Sequence, residues 1–176
     1  MARHLQRKEE DMFKKVDLYD LNLNPFQEIN KNWTLISARK DGVDNTMTAS
    51  WGGWGILWGK ETVTVYIRQS RYTKEFVDGQ DYFTISLFDG HKKELGVLGS
   101  KSGRDGDKIA EVGFHIVDVE GQPAFEESTY VFVCKKMYQA DMPLSEIPED
   151  AIKAYYPDDD YHTMYIAEIV ACYKKD

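Results

Sequence analysis

At 176 residues, 42% hydrophobic and 30% charged, the chain is sized for one domain around one core, with a globular rather than a disordered or fibrous composition. Its formal net charge of -8 argues against nucleic acid as a partner, because a phosphate-backbone binder needs an excess of clustered Lys and Arg. No apolar run approaches the roughly 20 residues that span a bilayer, and two cysteines, Cys134 and Cys172, are too few for a disulfide scaffold or a structural zinc site.

The start, Met1-Ala2-Arg3-His4 running into Lys8-Glu9-Glu10-Asp11, lacks the apolar stretch of a secretory signal, so a soluble cytoplasmic protein is expected. We divide the chain into a charged N-terminal segment, residues 1–19, and a single domain over 20–176. The stretch to about Lys15 is expected to pack weakly. Asn24-Pro25-Phe26-Gln27 reads as a cap followed by proline at the first helical position, opening a short helix to about Lys31. A strand is expected over Trp33–Arg39, stopped by Asp41-Gly42. Thr62, Val63, Thr64, Val65, Tyr66 and Ile67 give Glu61–Gln69 the β-branched alternation of a second strand, and Tyr82–Phe88 makes a third. Helical turns are expected at Thr73–Asp78, Lys92–Leu98 and Asp107–Val112, each followed by glycine. The C-terminal half adds strands near Phe114–Val119, Thr129–Tyr138 and Thr163–Tyr173, with a helix at Glu149–Tyr155 closed by Pro157. Many strands with few short helices do not make a βαβ alternation. They suit a mainly β fold, a twisted antiparallel barrel with the helices outside it.

Chemistry concentrates in a few segments. Asn45-Thr46-Met47-Thr48-Ala49-Ser50-Trp51-Gly52-Gly53-Trp54-Gly55 sets small hydroxyl residues before three glycines and two tryptophans, and Trp58 follows. Hydroxyls and free amides give directional hydrogen bonds, glycines allow close approach, and indoles make flat walls, a combination suited to a planar heteroaromatic ligand with polar edges. The same residues also suit a bulged strand and turn whose tryptophans fill the core. Arg68-Gln69-Ser70-Arg71-Tyr72-Thr73-Lys74 places two guanidiniums and two hydroxyls at a strand-to-helix turn, either an anion site or a solvated turn. Ser100-Lys101-Ser102-Gly103-Arg104-Asp105-Gly106-Asp107-Lys108 is neither a Walker loop nor an EF-hand and reads as a surface loop, from which Lys108 or Lys101 could reach a phosphate at the Arg68–Thr73 turn.

Asp158-Asp159-Asp160 ahead of His162 reads as solvated acids rather than a metal site. On the strand that follows, His162, Met164, Ile166, Glu168, Val170 and Cys172 share one face by strict alternation. If that face is buried, Glu168 requires an arginine or backbone N–H groups as partners. Neither a Gly-x-Ser-x-Gly elbow nor a Gly-x-Gly-x-x-Gly turn after a strand occurs.

In order along the chain, three of these segments resemble the flavin reductase-like family with an FMN-binding split β-barrel, above all its flavoredoxin branch. Asn45 through Gly53 resembles the flavin-contacting strand and turn, Arg68 through Thr73 the phosphate-binding turn, and His162 with Tyr165, Ile166 and Glu168 the family's late histidine-to-glutamate motif. The sequence departs from that pattern at Ala167, where glycine is usual, and at Asp160-Tyr161, where Gly-Asp is usual. The resemblance implies a Greek-key antiparallel split barrel with a few short peripheral helices, FMN as cofactor and a homodimer. It implies electron transfer fed by NADH, NADPH or a redox protein partner, or alternatively a non-catalytic flavin-binding protein on the same barrel. It carries over Met47, Thr48, Ala49 and Ser50 to the flavin ring, with Asn45 and Trp51 flanking it. Arg68, Arg71, Thr73 and Lys108 go to the phosphate, and His162 goes to the approach of a hydride-donating substrate. No acid–base catalytic residue and no metal is implied.

Overall fold

The computed structural model describes residues 12–176, so expectations for residues 1–11 lie outside the described residues. The strands are β1 (Phe13–Val16), β2 (Thr34–Lys40), β3 (Val43–Ala49), β4 (Gly52–Leu57), β5 (Lys60–Arg68), β6 (Tyr82–Leu87), β7 (Ile116–Val119), β8 (Gln122–Phe125), β9 (Tyr130–Asp141) and β10 (His162–Lys175). Four short α-helices accompany them among the described residues: α1 (Tyr72–Asp78), α2 (Lys92–Ser100), α3 (Lys108–Val112) and α4 (Glu149–Tyr155). The main sheet runs β3-β2-β6-β9-β10-β5-β4, every pairing antiparallel. Fourteen-residue β10 is long enough to pair with β5 through its first half and with β1 through its last four residues. The β7–β8 hairpin stands apart.

The sheet wraps one apolar interior. Ile36, Met47, Val65, Ile67, Phe83, Ile85, Phe132 and Tyr165 fill it, and Phe76 and Val77 of α1 pack against them. The sheet ends, β3 and β4, are consecutive in the chain and joined only by Ser50-Trp51. The fold is therefore mainly antiparallel β, as expected. Among the described residues no helix is long and apolar enough to cross a membrane.

Gly52 makes the β3-to-β4 connection possible. It sits at φ +151°, and a Cβ there would lie 2.6 Å from the Thr64 carbonyl oxygen on β5. That oxygen belongs to backbone and has no rotamer to yield. We expect Gly52→Ala to destabilise the protein by about 1–3 kcal/mol, the range for overpacking with backbone displacement. Chemical denaturation would show it as a lower midpoint at unchanged slope.

Four local expectations need correction. The stretch before Lys15 does not pack weakly where it is described: Phe13 is buried with Val117, Val119 and Val131, because the alternation Phe13-Lys14-Lys15-Val16 turns the phenyl inward and the lysines outward. The Asn24 cap forms, its Oδ1 accepting from the Phe26 amide at 3.0 Å, but the helix widens to a π-turn over Gln27–Asn32 and ends at Trp33 with φ 67°. Strand β8 escapes sequence reading because Pro123 lies within it, tolerated on a two-stranded hairpin. On β10, where the alternation left the buried face open, it is the other face that is buried, and the expected partners of Glu168 change with it. Tyr165, Ala167 and Ile169 enter the core, and a register shift between Ile169 and Ala171 brings Cys172 back to the same side. Glu168 stands on the half-buried face and meets Lys60 at 2.8 Å rather than an arginine or backbone N–H groups.

The tryptophans part company. Trp54 packs edge-on against Phe132 at 5.2 Å, Trp58 is exposed in the β4–β5 turn, and Trp51 stands at the mouth of a cleft. Neither a common core role nor a common wall describes all three.

Candidate functional site

Register assembles the cleft. His162 opens β10 directly opposite Arg68 at the end of β5, and β3 delivers Met47 through Ser50 beside them. A first cavity of about 180 Å³ is lined by Met47, Thr48, Ala49, Ser50, Trp51, Tyr66, Arg68, Arg71 and His162. A second of about 290 Å³ is lined by Asn45, Met47, Arg68, Ser70, Arg71, Tyr72, Thr73, Ser100, Lys101, Ser102, Gly103 and Lys108. Met47, Arg68 and Arg71 belong to both, so the two are continuous. All eleven residues singled out from the sequence line one or the other. No lining residue is an aspartate or glutamate, which in a chain of net charge -8 marks a local inversion of sign.

Of the four cations lining the second cavity, Lys101 pairs with Glu111, and the other three are held by carbonyl oxygens rather than carboxylates. Arg68 Nη1 donates to Asp160 O (2.8 Å) and Nη2 to Tyr155 O (2.9 Å), with the guanidinium 5.1 Å from the Tyr156 ring centre. Arg71 Nη1 donates to Gly99 O at 2.6 Å. Lys108 Nζ donates to Leu98 O (2.7 Å) and Lys101 O (3.0 Å). Arg71 and Lys108 thereby cap the C-terminal end of α2, where cations are favoured. An ammonium has three N–H donors and a guanidinium five, so donors remain on each cation for a ligand.

Uncompensated charge shows in the titration behaviour. Burial, followed by repulsion from Arg71, pushes the Lys108 ammonium down to about 8. Burial also lowers Arg71, with Arg68 adding to the effect and Asp160 opposing it. His162 is pushed down to about 4 by burial and Arg68, again against Asp160, so its imidazole is neutral near pH 7. Asp160 itself accepts from the Ser70 backbone N–H at 3.0 Å and bonds the Ser70 hydroxyl, fixing the Arg68–Arg71 turn.

The first cavity is different in kind. Met47 and Ala49 line it from the edge of the core, Ser50 carries a hydroxyl, Thr48 has its own hydroxyl donated to Leu95 O at 2.5 Å, and Trp51, Tyr66 and His162 supply rings. Trp51 lies 5.3 Å from His162 and 5.1 Å, edge-on, from Tyr155. One half can accept a flat body with polar edges, the other a multiply charged anion.

Sequence reading missed Tyr66, Tyr72, Ser100, Ser102 and Gly103 as lining residues, while Ser70 was counted within the Arg68–Thr73 turn. Ser100–Gly103 was expected at the surface, yet it closes over Asn45, whose Nδ2 donates to Thr73 Oγ1 at 2.8 Å. A Cβ on Gly103 would fall 2.2 Å from Asn45 Oδ1, a contact between positions 58 apart that no local pattern reveals.

Comparison with solved structures finds the same fold. An FMN-binding domain of a flavin reductases-like enzyme from Shewanella baltica is 22% identical at TM-score 0.67, covering 94% of this chain and 78% of that one. The flavoredoxin of Desulfovibrio vulgaris is 23% identical at TM-score 0.64, covering 93% and 77%. A protein from Shewanella frigidimarina described as a flavin reductase by assignment, with a split barrel domain, is 17% identical at TM-score 0.65, covering 83% and 68%. Comparison with curated proteins yields no match. The sequence pattern of the flavin reductase like domain matches residues 26–176, which takes in every strand from β2 to β10 and both halves of the cleft, and on that match the chain belongs to the flavin reductase-like family.

Proposed function

We propose that the chain binds FMN and works as an oxidoreductase through it. The observation that carries this reading is the continuity of an aromatic-walled cavity with one holding Arg68, Arg71 and Lys108 and no carboxylate. A flavin with a phosphate tail has that same division. Met47, Thr48, Ala49, Ser50 and Trp51 would border the ring, whereas Asn45, expected beside it, lines the second cavity with its Nδ2 on Thr73 Oγ1 and would stand at the tail. Arg68, Arg71, Thr73 and Lys108 would hold the phosphate, with Ser70, Ser100 and Ser102 as added hydroxyl donors. FMN, when bound, supplies hydride acceptance at its N5. The chain supplies position and charge: cations for the tail, apolar surface under the ring, and a neutral imidazole where a second substrate approaches. No proton transfer by the protein is required, so we assign no acid or base.

The proposal extends to a cytoplasmic homodimer. Trp51, 41% exposed at the mouth of the first cavity, is the apolar surface a second copy would cover.

The test begins with purified protein. FMN at 100 times its dissociation constant should add about 2.7 kcal/mol of stability and raise Tm accordingly. Anaerobic mixing with NADH and NADPH then follows the flavin absorbance. Bleaching by either supports a reductase, and bleaching only by a reduced redox protein supports a carrier. A protein that FMN neither colours nor stabilises would overturn the reading.

A further inference from the structure

His162 and Tyr156 are both buried, and His162 Nδ1 lies 2.7 Å from Tyr156 Oη. Either atom could own the proton between them, and the surroundings decide which. That contact is the only protein hydrogen bond of the Tyr156 hydroxyl among the described residues. If His162 donated, the buried phenol proton would have no protein acceptor; if Tyr156 donates, both atoms are satisfied at once. Neutral imidazole then carries its single proton on Nε2. That nitrogen has no protein partner, and it is not sealed in either: among the described residues Ser86 Oγ is the one fully buried side-chain nitrogen or oxygen lacking a partner. Nε2 therefore opens on the first cavity, which His162 lines.

We infer that Tyr156 is a positioning residue, which fixes the Nε2–H tautomer of His162 so that the cavity meets one uncharged hydrogen-bond donor aimed at an acceptor atom of the incoming substrate, such as a carboxamide or ring carbonyl. The Tyr156 ring is held in turn beneath the Arg68 guanidinium, which bonds the carbonyls of Tyr155 and Asp160 on either side of the loop. The charged groups acting on His162 are Arg68, Asp160 and Arg71, with burial and both arginines favouring the neutral ring. A ring set this way stays uncharged across the neutral range, whereas a histidine titrating near its ordinary value would change charge there.

The substrate half of this inference rests on the proposed oxidoreductase function; the tautomer does not. In full-length protein with 15N-labelled histidine and no added flavin, the His162 resonances should show a protonated Nε2 and an unprotonated, hydrogen-bonded Nδ1. Tyr156→Phe should give a mixture of tautomers. A protonated Nδ1 in the wild type, or no change in the variant, overturns the inference whatever the protein binds. With a reducing nucleotide, Tyr156→Phe should raise KM roughly fivefold at nearly unchanged kcat, and should have no further effect in a His162→Gln background. Equal losses in both backgrounds would make Tyr156 a purely structural residue.

Discussion

Arg71→Ala is expected to weaken FMN binding by roughly 10- to 100-fold while leaving riboflavin binding within about twofold. A hydrogen bond to a charged group contributes about 1.5–3 kcal/mol, and each 1.4 kcal/mol is tenfold in affinity. Arg71 is the cleanest of the three cations to remove. Only its Nη1 is engaged, on Gly99 O, whereas Arg68 anchors two carbonyls of the 155–160 loop and its loss would disturb that loop as well. Losing the α2 cap adds a small stability cost, on the order of 0.5–1.5 kcal/mol, which a thermal melt measures separately. Arg71→Lys keeps the charge without the planar fork and should fall between wild type and alanine. Fluorescence titration with both flavins checks the argument. Equal weakening for FMN and riboflavin would place Arg71 at the ring, and the division of the cleft into an aromatic half and an anionic half would be wrong.

The same division explains what could be read from the chain and what could not. Strand β5 was legible because Thr62 to Ile67 alternates without interruption, and α4 because Pro157 stops it; both match within a residue of expectation. The Arg68–Thr73 and Asn45–Trp51 segments were legible as chemistry because unusual residue types cluster within a few positions. Only the family resemblance joined them on one ligand. Their meeting depends on the sheet curling round, because β3 is one end of the strand order and β5 stands beside the other end. Ser100–Gly103 carries no local mark of its role, since that role is to pack Gly103 on Asn45 and to let Leu98, Gly99 and Lys101 offer carbonyls to Lys108 and Arg71. On β10 both alternating sets contain apolar residues, so period alone left the phase open. Burial of Tyr165, whose hydroxyl donates to Asp78 at 2.5 Å, and the register shift beside Val170 decide it.

Lys108 should make FMN binding fall away above pH 8. In the free protein its ammonium titrates at about 8, because it is buried beside Arg71 with no carboxylate to balance it. A phosphate monoester is close to dianionic by pH 7 to 8, its second pKa being about 6, so the ligand's charge has levelled off there. An anion next to an ammonium favours the charged form, so bound phosphate raises the Lys108 pKa and binding takes up a proton near pH 8. Affinity is therefore greatest near pH 7 to 8, and it drops by up to about tenfold per pH unit between the free and the bound pKa. Stability of the ligand-free protein moves the other way. The folded pKa lies below the unfolded value, so charged Lys108 costs stability below pH 8, and that cost is relieved as pH rises from about 8 towards the unfolded lysine value near 10.4. His162, at about 4, stays neutral throughout this window and contributes no slope. Lys108→Met should bind FMN weakly at pH 7 and with little slope from pH 8 to 10, while riboflavin should show no slope with either protein. An FMN affinity that stays level or rises through pH 9 in the wild type would mean that Lys108 serves only as the cap of α2, and that the phosphate is held by the two arginines alone.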